Sequence, residues 1–258
     1  MNESTALQTN ELSTGLEAYT ISINPVVLVQ SNHIAKWPDA VPGAYRDTVT
    51  NKQFSDARRN PVLLKIAPLT FNKQRVLFPE GDLNSKPICK SANGLVPLTV
   101  EQGKNFGLDL EPQALRCDNC MMGGQKRWRE YHNPSSKLFG KPPSCKERPQ
   151  LTFIDVESEL PYLVTFPAQS SKYVNNFISS VNREINSKAN KEKLLPCDFT
   201  VELSSAKMVS AKGTFFVAQF NNLEKVDTPK KYHDLFFKYT SAKPSTATEE
   251  IEGEIINA

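Results

Sequence analysis

The chain has 258 residues, 39% hydrophobic and 23% charged, a balance that allows a packed core in one large domain with appendages or in two small ones. No run approaches the ~18 consecutive apolar residues of a membrane span, and Met1-Asn-Glu-Ser-Thr lacks the basic and apolar segments of a signal peptide, so we expect a cytoplasmic protein with no membrane partner. The net charge is only +3, but Arg116 to Arg148 holds eight Lys/Arg against three acids, while Pro244 to Ala258 holds four Glu and no Lys or Arg, an asymmetry that suggests a polyanionic partner.

Residues 1–18 are polar and aperiodic and read as a disordered N-terminus. Tyr19-Thr-Ile-Ser-Ile-Asn24 alternates and Val26 to Val29 is apolar, which places short strands in an N-terminal arm, residues 19–60. The rest of that arm is rich in turn formers and charge (Trp37-Pro38, Pro42-Gly43, Arg46, Lys52, Arg58, Arg59) and reads as loop rather than packed element. The main domain spans 61–239. It opens with a strand at Val62 to Ala67 and a second at Arg75 to Phe78, followed by an insertion, 85–148. Leu151 to Val156 and Tyr162 to Phe166, split by Ser158-Glu-Leu-Pro161, read as a hairpin.

Ser170 or Ser171 then caps a helix in which Val174, Phe177, Ile178, Val181 and Ile185 share one face of a 3.6-residue period. Phe199 to Leu203, continuing toward Val209, and Thr214 to Phe220 are strands joined by a turn at Ala211-Lys-Gly213. Tyr232 to Tyr239 forms a short helix, and 240–258 is a linker with an acidic tail. This order puts the long helix between the third and fourth strands, as in a five-stranded Greek-key barrel of the oligonucleotide-binding type. A split α+β sheet gives the same string. The expected fold is therefore mostly β, an OB-fold-like β-barrel with one helix between strands 3 and 4 and a zinc-stapled insertion.

The insertion carries the chemistry. Cys89, Cys117, Cys120 and Cys145 are spaced C-x27-C-x2-C-x24-C. Thiolates bind Zn²⁺ tetrahedrally, and a two-residue spacing lets one tight turn supply two adjacent ligands. In a reducing compartment such a set reads as metal ligands before disulfides. Cys89 and Cys145, each beside stiff proline-containing segments, would close the loop at its base, with His132 as a competing fourth ligand. Four thiolates leave no open position for water, so the site reads as structural, and Met-Met-Gly-Gly after Cys120 argues against a thioredoxin-like motif.

Lys126, Arg127, Trp128, Arg129 and Tyr131 combine cations for phosphates with rings for unpaired bases, on a segment that Gly123-Gly124 and Pro134 mark as loop rather than long helix. The bland alternative packs Trp128 over the metal site. Lys65, Lys207 and Lys212 are further phosphate contacts by charge alone. Phe216 and Phe220 share one strand face and Phe215 and Val217 the other; most of these are expected to be core. In the tail, Glu249, Glu250, Glu252 and Glu254 alternate with Ile and can dock partner proteins.

This layout resembles phage- and plasmid-encoded single-stranded DNA-binding proteins: the four cysteines, the strand and helix order from Leu151 to Phe220, and the Glu249–Glu254 tail. The resemblance covers 61–258. It departs from bacterial housekeeping members, whose tail ends in an aspartate run and Pro-Phe, where this one ends Ile-Ile-Asn-Ala, and from zinc-containing phage members that use a His ligand. It implies a non-enzymatic protein that coats and protects single-stranded DNA in replication or recombination, with little sequence preference and RNA left open as a ligand. Replication or recombination proteins would dock on the tail, and the site of action would be the host cytoplasm if the protein is phage-encoded. The alternative is a zinc-containing protein-interaction or transcription-associated adaptor. Clustered carboxylates, a Gly-rich phosphate loop and a Ser/His/Asp set are all missing from the sequence, so we expect no enzyme.

Overall fold

The computed structural model describes residues 23–78, 89–91, 94, 116–117, 120, 122, 125–141, 143–187, 193–211 and 213–241. The expected disordered N-terminus, most of the Tyr19–Asn24 strand, Lys212 and the tail glutamates Glu249, Glu250, Glu252 and Glu254 lie outside the described residues, as does most of the insertion before Arg116.

The described chain is mostly β, with three short α-helices. In order, the elements are β1 (Asn24–Leu28), β2 (Tyr45–Asp47), β3 (Gln53–Phe54), β4 (Leu64–Leu77) and β5 (Cys89–Ser91). Then come α1 (Gln125–His132), β6 (Lys146–Asp155), β7 (Pro161–Thr165) and α2 (Ser171–Ile185). The last are β8 (Phe199–Ser210), β9 (Gly213–Lys225) and α3 (His233–Ser241). All strands join one sheet in the order β3-β2-β1-β7-β6-β4-β8-β9, with β5 paired to the far end of β4. The β1–β7 pair is parallel and the rest are antiparallel.

Two expectations are corrected here. The strands expected at Val62 to Ala67 and Arg75 to Phe78 are one strand of 14 residues, β4. Pro68 does not break it, because the β4–β6 register shifts between Pro68 and Thr70. A proline without an N–H is tolerated at such a bulge, where the ladder is already irregular. Nor is 31–60 a loose loop. Ala40, Val41, Ala44, Tyr45, Arg46, Asp47 and Phe54 are buried, so this segment belongs to the packed body. Its charges mislead, since Arg46 and Asp47 are buried with partners rather than solvated.

The sheet is an open, curled half-barrel whose two ends are brought together by side chains rather than by a ladder. Gln30, just past β1, acts as a strand mimic for β9. The Phe216 N–H donates to Gln30 Oε1 (2.8 Å), and Gln30 Nε2 donates to the Phe216 carbonyl (3.0 Å). Tyr45 Oη donates to the Ser204 carbonyl (3.1 Å) and Ser205 Oγ to the Gly43 carbonyl (2.6 Å), tying the β1–β2 connection to β8. Gly43 has φ of +86°, and a Cβ there would lie 2.7 Å from the Phe216 ring, so both backbone and close approach require glycine.

Inside the curl sits the main core. Val26, Leu28, Tyr45, Ile66, Leu151, Phe153, Val164, Phe166 and Leu203 are almost fully buried, and α2 covers the open side with Val174, Phe177 and Val181. At about 1.5–3 kcal/mol per fully buried large apolar side chain, this cluster is the main source of stability. Phe177 stacks on Phe220 with ring centroids 4.2 Å apart and planes 7° apart. Phe216 and Phe220 pack against this core from β9, and Val217 is buried. A second cluster lies on the outer face of β4 and β6, where Ala67, Leu69 and Ile154 meet Cys197 and Tyr232, with Leu235 and Phe236 of α3 packed over them. Among the described residues no helix is long and apolar enough to cross a membrane.

Candidate functional site

The insertion leaves the sheet at the C-terminal end of β4 and returns at the start of β6, and its cysteines meet at that base. Cys89 pairs with Leu77 across the β5–β4 ladder, which fixes the first thiol on a rigid element. Cys117 and Cys120 form a tight turn in which the Cys120 N–H donates to the Cys117 carbonyl (3.2 Å). The Met122 N–H then donates to Cys120 Sγ (3.4 Å), and the Cys145 N–H donates to the Met122 carbonyl (2.9 Å), which draws the bend leading into β6 against the turn. All four cysteines, with Arg75, Leu77, Ser91 and Met122, line one cavity of about 30 Å³, room for a single small occupant. The four are free thiols.

The electrostatics of the cavity suit a cation. Burial first, and then the neighbouring cysteines, push the Cys89 thiol up to about 11 and the Cys145 thiol up to about 12. Charge on the Cys89 and Cys145 sulfurs, which their neighbours disfavour, would be relieved by a divalent ion in the cavity. A backbone N–H donated to a cysteine sulfur, as at Cys120, is the kind of outer support that would orient a metal-binding thiolate. Arg75 closes the base by donating to the Cys117 carbonyl (3.2 Å) and approaching Glu147 (3.6 Å). His132 is absent from the lining of this cavity and lies instead in an aromatic patch on α1.

α1 corrects the expectation of a loop: Gln125–His132 is a helix of eight residues that ends before Pro134. Its faces divide by residue. Arg127 is buried and donates to the Lys141 carbonyl (2.6 Å), so it holds the insertion together and is removed from the set of phosphate contacts. Trp128, 45% exposed, is not among the residues that line the thiol cavity. It meets Tyr131 edge-on (5.4 Å) and stacks with His132 (6.2 Å), as the i, i+3, i+4 spacing dictates. Trp128, Arg129, His132 and Asn133 line a shallow open hollow. Lys126 lies on the same helix.

The other lysines are not gathered with α1. Lys65 sits at the start of β4, twelve residues or roughly 40 Å from Leu77 beside the thiol cavity, and pairs with Glu224 at 3.3 Å. Lys207 is exposed on the β8–β9 hairpin, opposite Phe216. That hairpin runs on beyond the N-terminal end of β4, since β8 pairs with β4 only through Val201–Leu203. The insertion and the hairpin tip thus flank the sheet from opposite ends.

A second donor cluster was not anticipated from the sequence. Cys197, Asp198 and His233 place their ligand atoms within 4.8 Å of one another and could hold a metal. The hydrogen bonds there already form a structural tie. Asp198, 1% exposed, accepts the Leu195 N–H at Oδ2 (2.8 Å) and meets His233 Nε2 at Oδ1 (2.6 Å), pinning α3 to the turn before β8. Burial, with the Asp198 charge, pushes the Cys197 thiol up to about 12. The 35-residue separation of Asp198 and His233 leaves no spacing signal to read.

No family model, no curated protein and no solved structure matches this chain.

Proposed function

We propose that this protein binds single-stranded nucleic acid, DNA in replication or recombination, and does no chemistry of its own. One observation carries the reading: an exposed aromatic and basic helix, α1, stands on a four-cysteine base in the loop between two neighbouring strands of a curled sheet. The antiparallel run β7-β6-β4-β8-β9, with α2 between β7 and β8, supports this reading. On it, β4, β6, β7, β8 and β9 would be strands 1 to 5 of an oligonucleotide-binding type of arrangement and the insertion the loop between the first and second, with β7 paired to β1 where a closed barrel would pair it with β9. In that fold the loops joining strands 1 to 2 and 4 to 5 flank the ligand. On this reading they would be the insertion and the β8–β9 tip.

Zn²⁺ is the ion that the four thiols fit, held by Cys89, Cys117, Cys120 and Cys145 with no open coordination position, so it would fold the loop rather than react. Trp128 and Tyr131 then offer faces for bases, and Arg129 and Lys126 offer charge for phosphates. Lys207 and Lys212 would extend the contact at the hairpin, and the tail glutamates would recruit partner proteins.

Titration of labelled oligo-dT against a duplex of equal length tests this. Oligo-dT should bind at least roughly ten-fold more tightly, with affinity falling steeply as salt rises. Equal affinity for both would overturn the reading. No binding, with a protein partner co-purifying, would favour the adaptor.

A further inference from the structure

The segment between β1 and β2 carries a second aromatic and basic surface, apart from α1. Trp37 is half-buried at its centre. His33 meets it edge-on at 5.5 Å, and Lys36 Nζ and the Arg46 guanidinium lie 5.7 and 5.3 Å from its ring centroid. Arg46 is fixed in place, donating to Asp39 Oδ2 (3.0 Å) and Asn51 Oδ1 (3.1 Å) with its side chain 5% exposed. It holds the indole from within the fold, while Lys36 stands on an exposed stem. The segment itself is rigid, because Gln30 is bonded to both backbone groups of Phe216 and donates its own N–H to His33 Nδ1 (3.3 Å).

The sheet register connects this surface to the insertion. The Phe166 N–H donates to the Pro149 carbonyl (2.9 Å), and β1 runs parallel beside β7. Arg148 therefore lies two strands, about 10 Å, from the end of β1. Its charge acts on His33, which burial first and then Lys36 and Arg148 hold below the usual histidine range. In the other direction Arg148 packs on Phe78 (5.7 Å) and is three residues, roughly 10 Å, past Cys145. Rings and cations thus form a line from the insertion through Arg148 to Trp37.

We propose that His33, Lys36 and Trp37, with Arg148 as the link, form a second contact site for the same single strand, in which a base stacks on Trp37 and Lys36 meets an adjacent phosphate. This rests on the single-strand reading of the protein. Stacking on an indole braced by a fixed guanidinium is sequence-tolerant, as the reading requires. A partner protein is disfavoured by the chemistry, since cations flank the ring and, among residues 31–37, Ile34 is the exposed large apolar side chain.

The two tryptophans of the chain, Trp37 and Trp128, report separately. In Trp128→Phe the remaining fluorescence belongs to Trp37, and an oligo-dT of about 20 nucleotides, longer than the ~4–16 nucleotides of one such domain, should quench it at saturation. In the wild-type background Lys36→Gln, an exposed change, should weaken binding roughly 3-fold and make the salt dependence shallower by about 0.7 in log–log slope, one phosphate contact. If the wild-type protein binds while Trp37 stays unquenched, or Lys36→Gln leaves affinity and slope unchanged, the inference falls and the parent reading stands. Should Trp128→Phe fail to bind, the Lys36→Gln slope decides alone. If the wild-type protein does not bind oligo-dT, both fall.

Discussion

Asp47 is 1% exposed and still keeps its charge, because its carboxylate is enclosed by donors. The Val49 and Thr50 N–H groups donate to Oδ1 (2.8 and 3.0 Å) and Asn24 Nδ2 donates to Oδ2 (2.8 Å). Burial alone would raise its pKa, but the bonds from Thr50, Asn24 and Val49 outweigh it and hold the group below the usual carboxylate value of 3.8. A depressed folded-state value means that the unfolded chain takes up the proton first. The stability from Asp47 is therefore complete above the unfolded value near ~3.9 and is lost as pH falls through the lower folded value. Asp47→Asn keeps the shape and can still accept both backbone N–H groups on its one oxygen, but it loses the charge and turns an NH2 donor toward the Asn24 NH2. It should cost about 1–3 kcal/mol at pH 7. Urea unfolding should show that deficit, and the deficit should shrink as the wild type is taken to low pH.

α2 is the element most plainly written in the sequence. Val174, Phe177 and Val181 recur at helical spacing and are the residues it buries. Removing Phe177, 5% exposed and stacked on Phe220, leaves a cavity between helix and β9. Phe177→Ala should cost about 3–5 kcal/mol, read as a lower urea midpoint with an unchanged slope. The β6–β7 hairpin and the β8–β9 turn were legible for the same reason, since local periodicity and turn chemistry encode them. What was not legible depends on partners far along the chain. The strand expected to end at Ala67 runs on through Pro68 only because of the bulge against β6, and Arg46 looks like part of a charged loop until Asp39 and Asn51 hold it. The parallel β1–β7 pair joins segments 138 residues apart at Asn24↔Tyr162 and leaves no mark in either. At the candidate site, cysteine spacing singled out four residues that line one cavity. The burial of Arg127 had no signal, because a buried arginine on a basic helix looks like its exposed neighbours.

At the scale of the molecule, the insertion and the sheet are stabilised by different means. Neither apolar cluster contains Cys89, Cys117, Cys120 or Cys145. The long connection from β4 to β6 is instead drawn together at its base by β5, the Arg75 contacts and the thiol cavity. If a single Zn²⁺ joins the four sulfurs, its binding free energy is folding free energy for the loop and contributes little to the sheet. Cys117→Ser should then lose the metal, which in the wild type should measure about one zinc per chain. Protease cleavage should appear within 85–148, while the β-sheet circular dichroism and the main urea transition stay near those of the wild type. Because α1 stands on this base, affinity for oligo-dT should fall at least roughly ten-fold, the loss of one stacking contact or more. Zinc-free wild-type protein with an intact, protease-resistant insertion would show that packing alone closes the loop. A collapse of the whole sheet in Cys117→Ser would show instead that insertion and sheet are one cooperative unit.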